Sequence, residues 1–278
     1  MLPAENGHRE VAGRGALTRR LLIRPGALGD FIVSLPALES LRAEYTEVWT
    51  TAENAPLVHF ASRVDSIAAA RLDLLELGLA PESLHQRLAS FDDIVSWYGA
   101  TRAEFRDAAA GLPFRFFPAL PAAGLLHAVD FYLAQVGQTA GVQPRLAVAR
   151  EPRRFVAIHP FSGSPSKNWP LHRFAQVAAG VPLAVEWSAG PGEELAHARR
   201  FDSRLELAQW LASAACYLGN DSGVSHLAAA VGTPVVALFG PGDPRVWAPR
   251  GDRVRVIQRE RIGGIGVEEA LSAVLDFI

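Results

Sequence analysis

Three short stretches of this 278-residue chain concentrate the groups that can bind anions or move protons. Gly219 to Pro241 reads GNDSGVSHLAAAVGTPVVALFGP. Asn220-Asp221-Ser222-Gly223 supplies turn and capping chemistry, Val224 to Val231 predicts a helix of small residues, and Pro234 to Phe239 has a buried-strand pattern. A helix N-terminus exposes unpaired N–H groups and partial positive charge, so a phosphate group is the expected occupant. Asp221 would repel it unless its carboxylate turns elsewhere, which leaves Ser222 and the amides of Gly223 and Val224 as the expected direct contacts. His226, about one turn into the helix, either donates to phosphate or packs.

The second stretch, His159 to Pro170, reads HPFSGSPSKNWP. Its prolines restrict the loop, so Lys167 would be held in place, and a positioned ammonium suits a diphosphate. Spacing alone equally allows a surface lysine in a turn. The Ser164 hydroxyl is a further candidate donor contact. In the third stretch, Pro25 to Asp30, an acid opens a helix. Asp30 is then either an N-cap or a cleft carboxylate acting as general base, with Gly26 and Gly29 forming the loop beside it. These glycines make no GxGxxG fingerprint, and no GxxxxGK[ST] loop occurs. Glu193 and Glu194 follow Gly190-Pro191-Gly192 at a strand-to-helix turn, where the helix dipole favours acids and a carboxylate can also pair with ribose hydroxyls. The eight histidines are dispersed, with neither HExxH, nor a cysteine pair, nor Asp-x-Asp, so no metal site and no cofactor are expected.

Strands alternating with helices must position these groups. The first series is strand Leu21–Ile23, helix Asp30–Glu44 kinked at Pro36, strand Val48–Thr51, helix Ala55–Ser62, strands Asp93–Trp97 and Phe114–Phe117, and helices Arg102–Ala110 and Leu125–Ala140. A linker is expected over Gly141–Arg154. The second series is strand Phe155–His159, helix Leu171–Ala179, strand Leu183–Trp187, helix Glu193–Phe201, strand Cys216–Leu218, the helix and strand of the 219–241 stretch, strand Val254–Ile257 and helix Val267–Phe277. This predicts an α/β fold with parallel sheets and right-handed crossovers. All three clusters fall beyond the carboxyl ends of strands, where ligands bind, and can face one inter-domain cleft. We assign residues 1–19 to a flexible tail, 20–145 to one domain and 146–278 to another, with a last helix able to pack back on the first domain.

A chain that is 49% hydrophobic can bury a substantial core, and a formal charge of −2 argues against a nucleic-acid partner. The lone cysteine, Cys216, excludes an internal disulfide and fits a reducing, cytoplasmic setting. No apolar run approaches the ~20 residues of a membrane span.

Taken together the stretches resemble glycosyltransferase family 9, the bacterial heptosyltransferases. They match its strand followed by R-x-G-A-L-G-D-x-x-x-x-x-P-A-L (Arg24 to Leu38), its H-P-G-x-x-x-x-x-K-x-W-P (His159 to Pro170), and its G-N-D-S/T-G-x-x-H-L-A-A-A-x-G-x-P-x-x-x-L-F-G-P-x-D-P (Gly219 to Pro244). The resemblance implies a GT-B architecture: two Rossmann-like domains facing across a cleft, acceptor domain first and nucleotide-sugar domain second. It makes Asp30 the general base, Lys167 a diphosphate contact, Glu193 a ribose ligand, and Asp221, Ser222, Gly223 and His226 the donor loop. It implies inverting, metal-independent transfer, most readily of heptose from ADP-heptose to a lipopolysaccharide-core or related glycan or glycolipid acceptor, in the cytoplasm with peripheral contact at the inner membrane. A GT-B sugar-nucleotide epimerase and a non-catalytic nucleotide-sugar binder remain as alternatives. Phe161 replaces the usual glycine after His-Pro, Val33 stands where several relatives have histidine, and the acceptor half is short. Arg24, Arg102 and Arg106 are read as solvated surface arginines that an acidic ligand could engage.

Overall fold

The computed structural model describes residues 18–121, 126–151 and 154–278. Most of the expected tail, the start of the helix expected from Leu125, and part of the expected linker lie outside them. The first half runs β1 (Arg19–Ile23), α1 (Leu28–Ser40), β2 (Tyr45–Thr50), β3 (Arg63–Ser66), α2 (Glu82–Ala89), β4 (Asp93–Ser96), α3 (Ala103–Ala108), β5 (Phe114–Phe116) and α4 (Ala128–Gln135). The second runs β6 (Phe155–His159), α5 (Leu171–Gly180), β7 (Ala184–Trp187), α6 (Arg204–Ala212), β8 (Cys216–Asn220), α7 (Gly223–Ala230), β9 (Val235–Phe239), α8 (Pro244–Trp247), β10 (Val254–Gln258) and α9 (Val267–Leu275).

The two sheets are ordered β3-β2-β1-β4-β5 and β10-β9-β8-β6-β7, and every named pairing is parallel. Strands β6, β8 and β9 are buried along their whole length, as parallel strands covered on both faces require. The strand order reverses between β1 and β4 and again between β6 and β8. The loops after β1, β6 and β8 therefore leave the sheets at their switch points, and these loops carry the three polar stretches.

The halves share one continuous core. Leu22, Phe31, Leu35 and Val48 belong to the same buried cluster as Leu211, Tyr217, Leu227 and Ala228, and α1 packs along α7. Two glycines meet within this contact. A Cβ on Gly29 would lie 3.3 Å from the Gly223 Cα, and one on Gly223 would lie 2.8 Å from the Gly29 nitrogen. No side chain fits between these helix starts. Polar links flank the seam: Arg250 makes two hydrogen bonds to Asp130, at 2.7 and 2.5 Å, and the Leu146 amide donates to the Ala230 carbonyl at 2.8 Å.

Several expectations need correction. The helix expected over Ala55–Ser62 shrinks to a 3-10 turn, Ala55–Leu57, because the residues after it form β3 against β2. No helix spans Glu193–Phe201: Glu193 closes a turn on the Gly190 carbonyl, His197 is left-handed at φ 60°, and Arg199 bridges to Ser188. The helix there is α6, whose N-cap Ser203 accepts from the Glu206 amide. The last helix does not turn back to the first half; it packs on α5 and the second sheet, burying Ala270, Ala273 and Val274 beside Phe174 and Val177. Pro36 sits within α1 without ending it, and that helix stops at Ser40 rather than Glu44.

Candidate functional site

A cavity of about 470 Å³ opens between the halves, walled by Leu28, Glu53 and Pro56 on one side and by His159, Ser188, Glu193, Arg204 and Val224 on the other. A larger open depression of about 570 Å³, between Arg173 and Gly263–Glu268, holds none of the three polar stretches.

Helix α7 begins at this cavity. Its N-cap residue is Ser222 in extended conformation, but no side chain caps the helix. The first N–H groups of α7 have no partner within the helix, and Ser222 Oγ is buried with no hydrogen bond. Asp221, next to it, is paired with a cation. Its Oδ2 lies 2.7 Å from Lys167 Nζ, an ion pair by distance in which Oδ2 accepts no aligned hydrogen bond. The same oxygen sits against Gly242, where a Cβ would approach it to 2.4 Å. The expected conflict between Asp221 and phosphate is thus met by the ammonium. Lys167 carries three protons and its side chain is 35% exposed, so donors remain for a ligand.

Asn220 holds the loops after β6 and β8 together: its Oδ1 accepts from the Trp169 amide at 3.0 Å and its Nδ2 donates to the Pro160 carbonyl at 2.7 Å. Phe161 takes no positive φ, so the missing glycine imposes no backbone strain there. Ser164 Oγ lies 3.0 Å from Ser166 Oγ within the loop and does not line the cavity.

Glu193 does line it. Its carboxylate accepts from the Gly190 amide and stands 3.7 Å from His159 Nε2. Burial lowers the His159 pKa despite the neighbouring carboxylate. His226 is buried, with Cδ2 3.3 Å from where a Cβ on Gly29 would be, so one edge of its ring packs against the seam.

Burial, with His127 and Lys167 adding, pushes His226 from 6.5 down to about 4. Because the folded value is depressed, the unfolded chain takes up the proton first as pH falls. The stability owed to the neutral ring is complete above about 6.5 and drains away towards pH 4. Urea midpoints are expected to drop across that window, and His226→Leu to flatten the slope; an equal slope in both proteins contradicts the assignment.

In the first half Asp30 is not the N-cap; Ala27 occupies that position, and Asp30 is the third residue of α1, directly after the glycine that touches Gly223 and two residues beyond Leu28, which lines the cavity. Arg24 is 3% exposed, not a solvated arginine. Its guanidinium donates to the Pro25 carbonyl, to the Asp30 carbonyl at 3.0 Å and to the Tyr132 hydroxyl at 2.6 Å, which folds the Pro25–Asp30 loop around it. Val33 is buried in the core and offers no polar contact. Arg102 pairs with Glu76 at 2.6 Å, away from the cavity. Sequence reading missed Asn54 and Arg204. The Ser203-Arg204-Leu205-Glu206 capping pattern was the available signal for the second; nothing local marks the first.

Among the described residues no three His, Cys, Asp or Glu side chains are grouped to hold a metal ion, and no helix is long and apolar enough to cross a membrane.

The profile of glycosyltransferase family 9 (heptosyltransferase) matches residues 203–265. Lipooligosaccharide heptosyltransferase 2 of Haemophilus influenzae is 32% identical over 114 residues, covering 34% of this chain and only 33% of that relative's length. Among solved structures, a family 9 glycosyltransferase from Veillonella parvula aligns with a TM-score of 0.71 at 17% identity, over 94% of this chain and 97% of that one. The ADP-heptose lps heptosyltransferase II of E. coli aligns with a TM-score of 0.69 at 18% identity, over 94% and 98%. The likeness to family 9 holds over residues 203–265, which contain the third motif, and the fold is GT-B.

Proposed function

On the premise of that family 9 likeness, we propose that the chain is an inverting, metal-independent glycosyltransferase that moves a sugar from a nucleotide donor, of the ADP-heptose class, to a glycan or glycolipid acceptor such as a lipopolysaccharide core. The observation that carries this reading is the seam itself. A carboxylate-bearing helix start, α1 with Asp30, abuts a second helix start, α7, beside which Lys167 is held. In the transfer, the acceptor hydroxyl attacks the anomeric carbon from the face opposite the nucleotide. The bond from that carbon to the diphosphate oxygen breaks, and the hydroxyl proton passes to Asp30. Charge developing on the departing diphosphate is met by Lys167 and the free amides of α7. Glu193, which lines the cavity, takes the ribose in this reading. We place the reaction in the cytoplasm, with peripheral contact at the inner membrane face when the acceptor is lipid-linked.

A thermal-shift panel of ADP, UDP, GDP and their sugars tests the donor class. ADP at ~100 times its dissociation constant is expected to stabilise the fold by ~2.7 kcal/mol. Silence from every nucleotide sinks the proposal, and a shift with UDP or GDP alone removes ADP from it.

A further inference from the structure

Asn54 is fully buried at the edge of the seam. Its Nδ2 donates to the Gly26 carbonyl at 3.0 Å, and its Oδ1 accepts from Arg204 Nη1 across the cleft. The two partners fix the orientation of the amide. A flip would set NH₂ against a guanidinium and oxygen against a carbonyl, both repulsive. The backbone of Asn54 is tied as well, its amide to the Thr51 carbonyl at 3.1 Å and its carbonyl to the Leu57 amide at 2.9 Å.

Gly26 is the residue through which this tie reaches Asp30. At φ 139° it occupies backbone space that side chains rarely enter, and a Cβ there would lie 2.8 Å from Arg24 Nη1 and 3.4 Å from Asp30 Cβ. Its Cα face therefore abuts the Asp30 stem. The neighbouring carbonyls are held by buried donors too: Thr50 Oγ1 donates to Arg24 O at 2.8 Å, and Arg24 itself serves Pro25 and Asp30. Among these ties only the Asn54 side chain also reaches the nucleotide half. Arg204 is the first residue of α6 and lines the cavity, where Glu53 on the facing wall is the carboxylate that attracts it.

We propose that Asn54 is a positioning residue: through Gly26 it sets the place of Asp30, and through Arg204 it registers that place against the donor half. The proposal rests on Asp30 acting in sugar transfer. A displacement of about 1 Å at a reacting group costs on the order of 10²-fold in rate, which sets the scale of the test.

Two substitutions cut the two ends separately. Asn54→Asp keeps the acceptor for Arg204 and turns the Gly26 contact into oxygen against oxygen. Arg204→Ala removes only the cross-cleft donor. With ADP-heptose and an acceptor extract, Asn54→Asp is expected to lower kcat by about 10- to 100-fold while ADP affinity stays within twofold. Hydrogen exchange is expected to quicken at the amides of residues 26–30 and to stay unchanged in α7. Arg204→Ala is expected to lower kcat less, with the folded fraction intact. Unchanged kcat and unchanged exchange at 26–30 overturn the proposal, as does a kcat loss matched by loss of folded protein. If wild type binds no ADP, the transferase reading fails, and the exchange comparison alone still decides whether Asn54 fixes the loop.

Discussion

Asp30→Asn is expected to lower kcat by ~10²–10⁴-fold, the usual contribution of a positioned general base, while leaving the fold and ADP binding intact. The substitution preserves size and hydrogen-bonding reach but cannot take up the acceptor proton. Its stability effect should be small for a physical reason. Asp30 is not a cap, its side chain makes no hydrogen bond among the described residues, and the tie to Arg24 runs through its backbone carbonyl, which asparagine retains. Donor binding should survive because Lys167, Glu193 and the α7 amides belong to the other half. The measurement is steady-state release of ADP from ADP-heptose with acceptor, beside a thermal-shift titration with ADP. Turnover equal to wild type removes Asp30 as base. Loss of ADP binding alongside turnover would mean that the residue organises the donor site instead.

The sequence discloses the central strands and their loops well, because two demands act on them at once. Phe155–His159 is predicted to the residue, and strands β8 and β9 nearly so. Each must be apolar on both faces, and each ends in loop chemistry that nothing else in the chain repeats. The failures have a common cause. The acids after Gly190-Pro191-Gly192 imitate a first helical turn, yet their segment forms turns and a bridge, and the competing start at Ser203 wins because its hydroxyl and Glu206 satisfy one another's surroundings locally. Arg24 looks solvated because arginine usually is; its burial depends on carbonyls of its own loop and on Tyr132, far along the chain. The candidate site behaves similarly. Its residue types were legible as Asp30, Lys167, Glu193 and the 221–226 loop, but the pairing of Lys167 with Asp221, the inward packing of His226, and the bridge through Asn54 are products of tertiary contact with no local signature.

That pairing makes Lys167 the second large expectation. Asp221 Oδ2 is buried against Gly242, and Lys167 is the charge beside it. Removing the ammonium leaves a carboxylate near the α7 start with only amide dipoles for compensation. Breaking a buried pair costs several kcal/mol, but Lys167 is 35% exposed; discounted for solvent screening, Lys167→Ala is expected to destabilise the fold by about 1–2 kcal/mol. Asp221→Asn should cost less, since it leaves a cation that water can reach. In the double variant much of the Lys167→Ala penalty should disappear, because the charge that needed it is gone; a double-mutant cycle of chemical denaturation reads this coupling. Activity should separate from stability. If Lys167 also meets charge on the departing diphosphate, its loss lowers kcat by ~10²–10³-fold, as for other preorganised donors at developing negative charge, and the double variant stays as slow as the single one even though its stability returns. Recovery of turnover together with stability would show that the ammonium serves Asp221 alone, and leaving-group stabilisation would then fall to the α7 amides.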